Sequence, residues 1–374
     1  MVSAIFQGTA LQPLAEKVAA GERLSAGDGL TLLQTPHLAA LGALANVVRE
    51  RLHGDRTYYI INRHINYTNI CANQCRFCAF SRREGEEGGY VLSVEECLAK
   101  AEGFRGGRVS EFHIVGGCHP NLKLDYYTSL LSALKARFPE VHLQAFTAVE
   151  VAHIAKTSGL SVRECLTQLR EAGLGSLPGG GAEVFAPRVR EALCPQKLSP
   201  EGWLEVMRTA HELGLRSNAT MLYGHIERPE EIIDHLLQLR ALQDETGGFL
   251  AFIPLAFHPE NTELAGEAEG PNAWGKLRMI ALSRLMLDNI PHLKVFWIMT
   301  GLKLAQIALG FGADDVDGTV AEERITHAAG ARTPESLTIG ELHHLVTGAG
   351  RTPVERGTLY DVIGDRESKV ESRE

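Results

Sequence analysis

Residues 71–78 read CANQCRFC. Cys71, Cys75 and Cys78, three of the chain's seven cysteines, fall within eight residues at spacings of four and three. Clustered thiols bind zinc, hold an iron–sulfur cluster, or are ordinary loop residues. Structural zinc takes four closed ligands, usually as two separated cysteine pairs. Cys97, Cys118, Cys165 and Cys194 supply no second pair. An electron-transfer [4Fe–4S] cluster takes four cysteines. Three leave one iron without a protein ligand, and that iron can bind a small molecule through amino and carboxylate groups.

The loop follows a strand-like run, YYIINRHINYTN (58–69), and the surrounding pattern repeats. The runs EFHIVGG (111–117), VHLQAFTA (141–148), GLGSLPGGGAE (173–183), SNATMLYGH (217–225), GFLAFIPLAF (248–257), LKVFWIM (293–299) and the weaker ADDVDGTV (313–320) alternate with amphipathic helices. Ser93 and Ser161 each precede a glutamate by three residues, as capping boxes do. Ser199, Pro200 and Gly214 mark the cap, first residue and stop of another helix. Eight strand candidates separated by helices predict an α/β fold, a (β/α)8 TIM-type barrel, with an open barrel as the alternative because the eighth run is weak. Residues 1–56 read as helices ending at Gly54, 57–320 as the barrel, and 321–374 as a helical extension with a frayed, charged tail from 364. Barrel enzymes carry their chemistry at the carboxyl ends of the strands. The polar clusters CANQCRFC, GGCHPN, GGGAE, YGHIE and HPENT follow the first, second, fourth, fifth and sixth runs, where that rule requires them.

Composition narrows the partners. A net charge of −9 argues against a nucleic-acid or anionic-membrane surface. The apolar stretch TGGFLAFIPLAFHP (246–259) is too short to cross a bilayer, and no secretory signal opens the sequence. An odd, uneven set of cysteines fits a reducing cytoplasm. The triple glycine of 179–181 lacks the Lys-Ser/Thr of a P-loop and the G-x-G-x-x-G spacing, which excludes a nucleotide triphosphate cradle.

C-x3-C-x2-C with an aromatic residue before the last cysteine resembles the radical S-adenosylmethionine (SAM) superfamily. The resemblance implies that Cys71, Cys75 and Cys78 hold a [4Fe–4S] cluster whose open iron chelates SAM, with Phe77 near the adenine. Reductive cleavage of SAM would then release a 5′-deoxyadenosyl radical. By the same resemblance, Gly116 and Gly117 receive the methionine amino group of SAM and Glu183 bonds its ribose or methionine end. MLYGHIE (221–227) resembles the segment whose backbone reads the adenine, which places Met221, Tyr223 and Gly224 near the base. A tight turn is the plainer account of the two glycines, and a helix-start carboxylate that of Glu183.

Longer strings narrow the family. NYTNICANQCRFCAFSRREGEEGGY (66–90), HIVGGCHPNL (113–122), SLPGGGAEVF (176–185), NATMLYGHIERPEE (218–231), QDETGGFLAFIPLAFHPENT (243–262) and DGTVAEERITHAAGA (317–331) resemble the aminofutalosine synthase family of menaquinone biosynthesis. Its relatives, the cyclic dehypoxanthine futalosine cyclase and the radical SAM synthases of the deazaflavin chromophore, share the framework. The synthase resemblance implies a transferase that adds the radical to 3-[(1-carboxyvinyl)oxy]benzoate, with rearrangement and decarboxylation, giving 6-amino-6-deoxyfutalosine. SAM would be consumed as a co-substrate, with a flavodoxin or ferredoxin as one-electron donor. A substrate with two carboxylates requires cations or donors in the cavity. The candidates are His64, Asn66 and Thr68, alternating along the first run, together with Arg82, His119 and His258. A structural role is the alternative for each. Cys118 reads as a small buried residue, because a fourth thiolate would block SAM, and Arg83 as a solvated salt-bridge partner.

Overall fold

The computed structural model describes residues 4–103 and 108–363, so the expected tail lies outside the described residues. The chain opens with three helices, Gln12–Ala20, Ala26–Gln34 and Leu38–His53. Ser25 and Asp28 close a capping box at the second, and Gly54 ends the third with φ 62°. The third helix lies along Ala273–Met286.

Ten strands follow among the described residues: β1 (Arg56–Ile60), β2 (Asn62–Ile65), β3 (Glu111–Ile114), β4 (His142–Ala145), β5 (Ser176–Leu177), β6 (Arg216–Tyr223), β7 (Phe249–Ala256), β8 (His292–Leu293), β9 (Asp315–Gly318) and β10 (Thr352–Glu355). β2 to β8 form one parallel sheet in sequence order. β10, β1 and β9 form a second parallel sheet. The two meet at β9. Val295 N donates to Asp315 O (2.8 Å) on the β8 side, and His64 N donates to Ala321 O (2.9 Å) on the β2 side. Residues 314–321 therefore occupy the eighth position through single bridges rather than a continuous ladder. The result is a partial TIM-type barrel wrapped by helices, and the weak eighth run is its seam. Intervening helices start where capping was read, Ser93 with Glu96, Ser161 with Glu164, and Ser199 onto Gly202.

Three elements differ from expectation. The first run divides at Ile61, whose carbonyl receives Ser110 N (2.8 Å), so β1 joins the second sheet and only β2 enters the barrel. LKVFWIM supplies just the end of β8 before turning into the short helix Trp297–Thr300. The C-terminal stretch contains a helix, Ile339–Gly348, and also β10 against β1. None of the described helices is long and apolar enough to cross a membrane.

Under the barrel, Asp314 organises a buried polar cluster. It accepts from Arg284, from His292 Nδ1 (2.6 Å) and from Leu293 N (2.7 Å), and both Arg284 and Asp314 are buried. Burial works to raise the Asp314 pKa, but Arg284 and His292 outweigh it and hold the carboxyl well below its usual range. Replacing one partner of such a pair strands the other charge. Arg284→Met should therefore lose about 3–5 kcal/mol in denaturant titration. A loss under about 1 kcal/mol would show that Asp314 does not depend on it.

Candidate active site

The carboxyl ends of the barrel strands open onto a cavity of about 310 Å³, within the size of small-molecule sites. Cys71, Cys75 and Cys78 all line it, on the loop after β2. Backbone bonds fix that loop to its neighbours: Ala72 N to Cys118 O (2.9 Å), Cys71 N to Arg82 O (3.0 Å) and Arg76 N to Leu193 O (2.9 Å). The loop after β3 presses against it so closely that a Cβ on Gly117 would sit 2.2 Å from Ile70 O. Only glycine fits there. Gly116 N donates to Glu150 Oε1 (2.9 Å), a buried carboxylate that also receives Tyr67 Oη (2.7 Å).

The donor set, three thiols on one loop lining one cavity, is of the kind that would hold an iron–sulfur cluster with one iron free of protein. The thiol of Cys118 and backbone amides lower the Cys71 pKa to about 5, favouring the thiolate that binds metal. Cys118 is buried, as read, with its N–H 3.4 Å from Cys71 Sγ. Cys194, which stands alone in the sequence, contacts the Cys75 thiol.

Phe77, Gly116, Gly117 and Glu183 line the cavity. Glu183 is no surface helix-start carboxylate: it is 8% exposed, at φ 52°, and bonds Lys197 Nζ (2.5 Å). Burial works against the Lys197 charge, but Glu183, Cys75 and Cys194 prevail and raise its pKa. The same ammonium lies 5.3 Å from the centre of the Phe77 ring.

Several expected residues turn elsewhere. Along β6 the side chains of Met221 and Tyr223 are packed in the core and those of Asn218, Thr220 and Leu222 face the cavity; what was expected of Met221 and Tyr223 concerned their backbone. Gly224 N donates to Glu227 (2.5 Å), and the glycine lies against Pro271. β2 ends at Ile65, so alternation does not carry Asn66 and Thr68 inward. Asn66 bonds Val115 O (3.0 Å) and Thr68 bonds Tyr90 O (2.6 Å). The Arg82 guanidinium caps the Ala79 (3.0 Å) and Ser81 (2.8 Å) carbonyls. His119 Nδ1 accepts from Asn121 N (3.1 Å). His64 and His258 do face the cavity. Arg83, on the surface, bonds Gln74 (2.7 Å).

Lys197, Lys294, Gln144 and Glu323 line the cavity without having been singled out. Lys197 stands in no motif, but Lys294 had a signal, a lone charge inside the apolar run LKVFWIM.

An iron–sulfur-type thiol loop at the mouth of a parallel half-barrel is the site of a radical SAM enzyme. Residues 65–239 match the Radical SAM superfamily, and residues 246–368 match the CofH/MqnC C-terminal region. The aminodeoxyfutalosine synthase of Thermus thermophilus is 51% identical over 353 residues, covering 94% of this chain and 95% of that protein. The 5-amino-6-(D-ribitylamino)uracil–L-tyrosine 4-hydroxyphenyl transferase 1 of Methanosarcina barkeri is 40% identical, covering 92% of each. Methylornithine synthase superposes with a TM-score of 0.72 at 21% identity, over 91% of this chain and 97% of that one, a likeness of fold alone. The chain belongs to the aminodeoxyfutalosine synthase family of radical SAM enzymes. Membership implies an iron–sulfur cluster, SAM and a small-molecule substrate.

The segment carrying Glu323, Ile325, Thr326 and Ala329 walls one side of the cavity. His327 pins it, bonding Glu323 Oε2 (3.0 Å) and the Thr333 carbonyl (3.1 Å). The Glu323 bond, against opposing burial, raises the His327 pKa from 6.5 to about 9. A folded pKa above the unfolded one means full stabilisation below about pH 6.5, lost as pH rises through about 9. Amide protection of residues 321–333, corrected for intrinsic exchange, should fall between about pH 7 and 10, and be low at both in His327→Gln. Constant protection across that range in the native chain would remove this clip.

Proposed function

We propose that the protein is an aminodeoxyfutalosine-forming synthase joining the adenosyl group of SAM to 3-[(1-carboxyvinyl)oxy]benzoate. The observation that carries this reading is the 51% identity to the Thermus thermophilus synthase across 95% of its length. Cys71, Cys75 and Cys78 would hold a [4Fe–4S] cluster, leaving one iron for SAM. When bound, cluster and SAM supply the 5′-deoxyadenosyl radical that attacks the enol-ether alkene. This chain's residues then bind and exclude. Gly116 and Gly117 let the backbone approach SAM, Phe77 flanks the adenine, and Glu183 with Lys197 offers paired donor and acceptor for its polar groups. Leu222, Ile253, Leu255, Phe257, Phe296 and Met299 supply apolar wall, which keeps water away and holds the alkene close to the reacting carbon. The relationship to the Methanosarcina barkeri transferase supports a second reading, transfer of an aryl group from an aromatic amino acid.

SAM labelled with carbon-13 at the 5′ position separates the two. Incubated anaerobically with reductant and the enolpyruvyl benzoate, the protein should place most of the label in a nucleoside bearing the aryl carboxylate. Label accumulating in 5′-deoxyadenosine while the benzoate stays intact would reject the synthase, and an aryl-transfer product formed from tyrosine together with 5-amino-6-(D-ribitylamino)uracil would instead support the second reading.

A further inference from the structure

Two ammonium groups line the cavity, Lys197 and Lys294. Lys197 is committed, bonded to Glu183 (2.5 Å) and acting on the electrostatics of Cys71, Cys75 and Cys78. It belongs to the thiol end. Lys294 acts electrostatically on Glu111 and His64 but is hydrogen-bonded to neither. It extends β8, its N–H donating to Phe252 O (2.9 Å), and its side chain is 5% exposed. The nearest carboxylate oxygen, Asp317 Oδ1, is 4.0 Å away, beyond hydrogen-bond reach, and already receives Asn62 Nδ2 (3.3 Å). No hydrogen bond joins Lys294 Nζ to another of the described residues, and a buried ammonium without an acceptor is costly.

A second unfilled group stands nearby. His64, on β2, is 7% exposed and stacked on His113 with centroids 4.5 Å apart. His113 is anchored to Gln144 (3.1 Å), but no hydrogen bond joins the His64 ring nitrogens to the described residues. β8 and β2 flank the seam at β9, so Lys294, Asp317 and His64 come from three neighbouring positions of one wall. Two buried polar side chains with open valences thus face the same space.

Resting on the synthase reading above, we propose that Lys294, assisted by His64, is the receptor for the ring carboxylate of the aryl substrate. The enolpyruvyl carboxylate is attached to the reacting alkene and must lie with it at the SAM end, toward Lys197. The ring carboxylate, meta to the ether, reaches the other way. There it meets a cation that lacks an acceptor, and a charge-assisted bond forms where the empty protein has none. Asp317, 4.0 Å from the ammonium and also at the cavity wall, holds its charge in place without taking a hydrogen bond from it.

The test is binding without turnover. Cluster-loaded, unreduced protein with SAM is titrated calorimetrically with 3-[(1-carboxyvinyl)oxy]benzoate and with the phenyl ether that lacks the ring carboxylate. The native protein should bind the benzoate about tenfold to a hundredfold more tightly than the phenyl ether. Lys294→Met should abolish that preference while leaving affinity for SAM and for the phenyl ether unchanged, and Lys294→Arg should restore part of it. Equal affinity of the native protein for the two ligands overturns the proposal without recourse to any variant. So does a Lys294→Met protein that keeps the preference or weakens both ligands alike. If the native protein binds neither ligand, the substrate reading itself falls, and the Lys294 assignment with it.

Discussion

Gly117 lies against the carbonyl of Ile70 with no room for a side chain, and that contact locks the loop after β3 onto the loop after β2. Everything at the mouth of the barrel depends on it. Gly117 N is tied to Thr68 O (2.9 Å), Ala72 N to Cys118 O (2.9 Å), and the Cys118 N–H is aimed at Cys71 Sγ (3.4 Å). The thiol loop has no regular secondary structure of its own, so its shape comes from backbone bonds to neighbouring loops. Such bonding holds sulfurs in place before any metal arrives, which lowers the ordering cost of assembling a cluster.

The barrel interior is polar in a way that separates two tasks. Below, Asp314 with Arg284 and Asp315 with Arg356 (2.6 Å) are paired and buried, and they join the seam strand to the rest of the fold. Above, two cations line the cavity in different company. Lys197 neutralises Glu183 beside the thiols, and Lys294 stands on the β8 wall next to the seam. Hydrogen-bonded charge pairs under the barrel fit a structural role; an ammonium with a carboxylate only at 4.0 Å and no hydrogen bond to a described residue leaves room for a ligand. The seam thus also positions one wall of the site, since Asp317, Glu323 and Thr326 all follow from the course of the chain through and beyond β9.

Much of this was legible in the sequence because the informative residues were clustered. The cysteine triad, the glycine pair and the polar ends of the runs fell where a parallel barrel puts its chemistry, and the capping serines located helices correctly. What failed did so for geometric reasons. An uninterrupted strand-like run from 58 to 69, with no glycine or proline to break it, does not reveal that the chain changes sheets at Ile61, so the inward phase of Asn66 and Thr68 was misjudged. On β6 a period of two leaves the side-chain phase open, so Asn218, Thr220 and Leu222 were not picked out as the cavity-facing set. Lys197 lies 14 residues from its partner Glu183, with helix Pro187–Leu193 between them, and no spacing rule connects such a pair.

The central claim is that three thiolates hold a cluster with one iron left for SAM. Electron paramagnetic and nuclear double resonance on the anaerobically reduced protein, with nitrogen-15 in the amino group of SAM, addresses it directly. The account predicts that SAM shifts the spectrum of the reduced cluster and that the labelled nitrogen couples to it. It also predicts that Cys75→Ser has lost the cluster, whereas Cys97→Ser keeps both cluster and coupling. A spectrum indifferent to SAM, together with a cluster that survives in Cys75→Ser, would contradict the account.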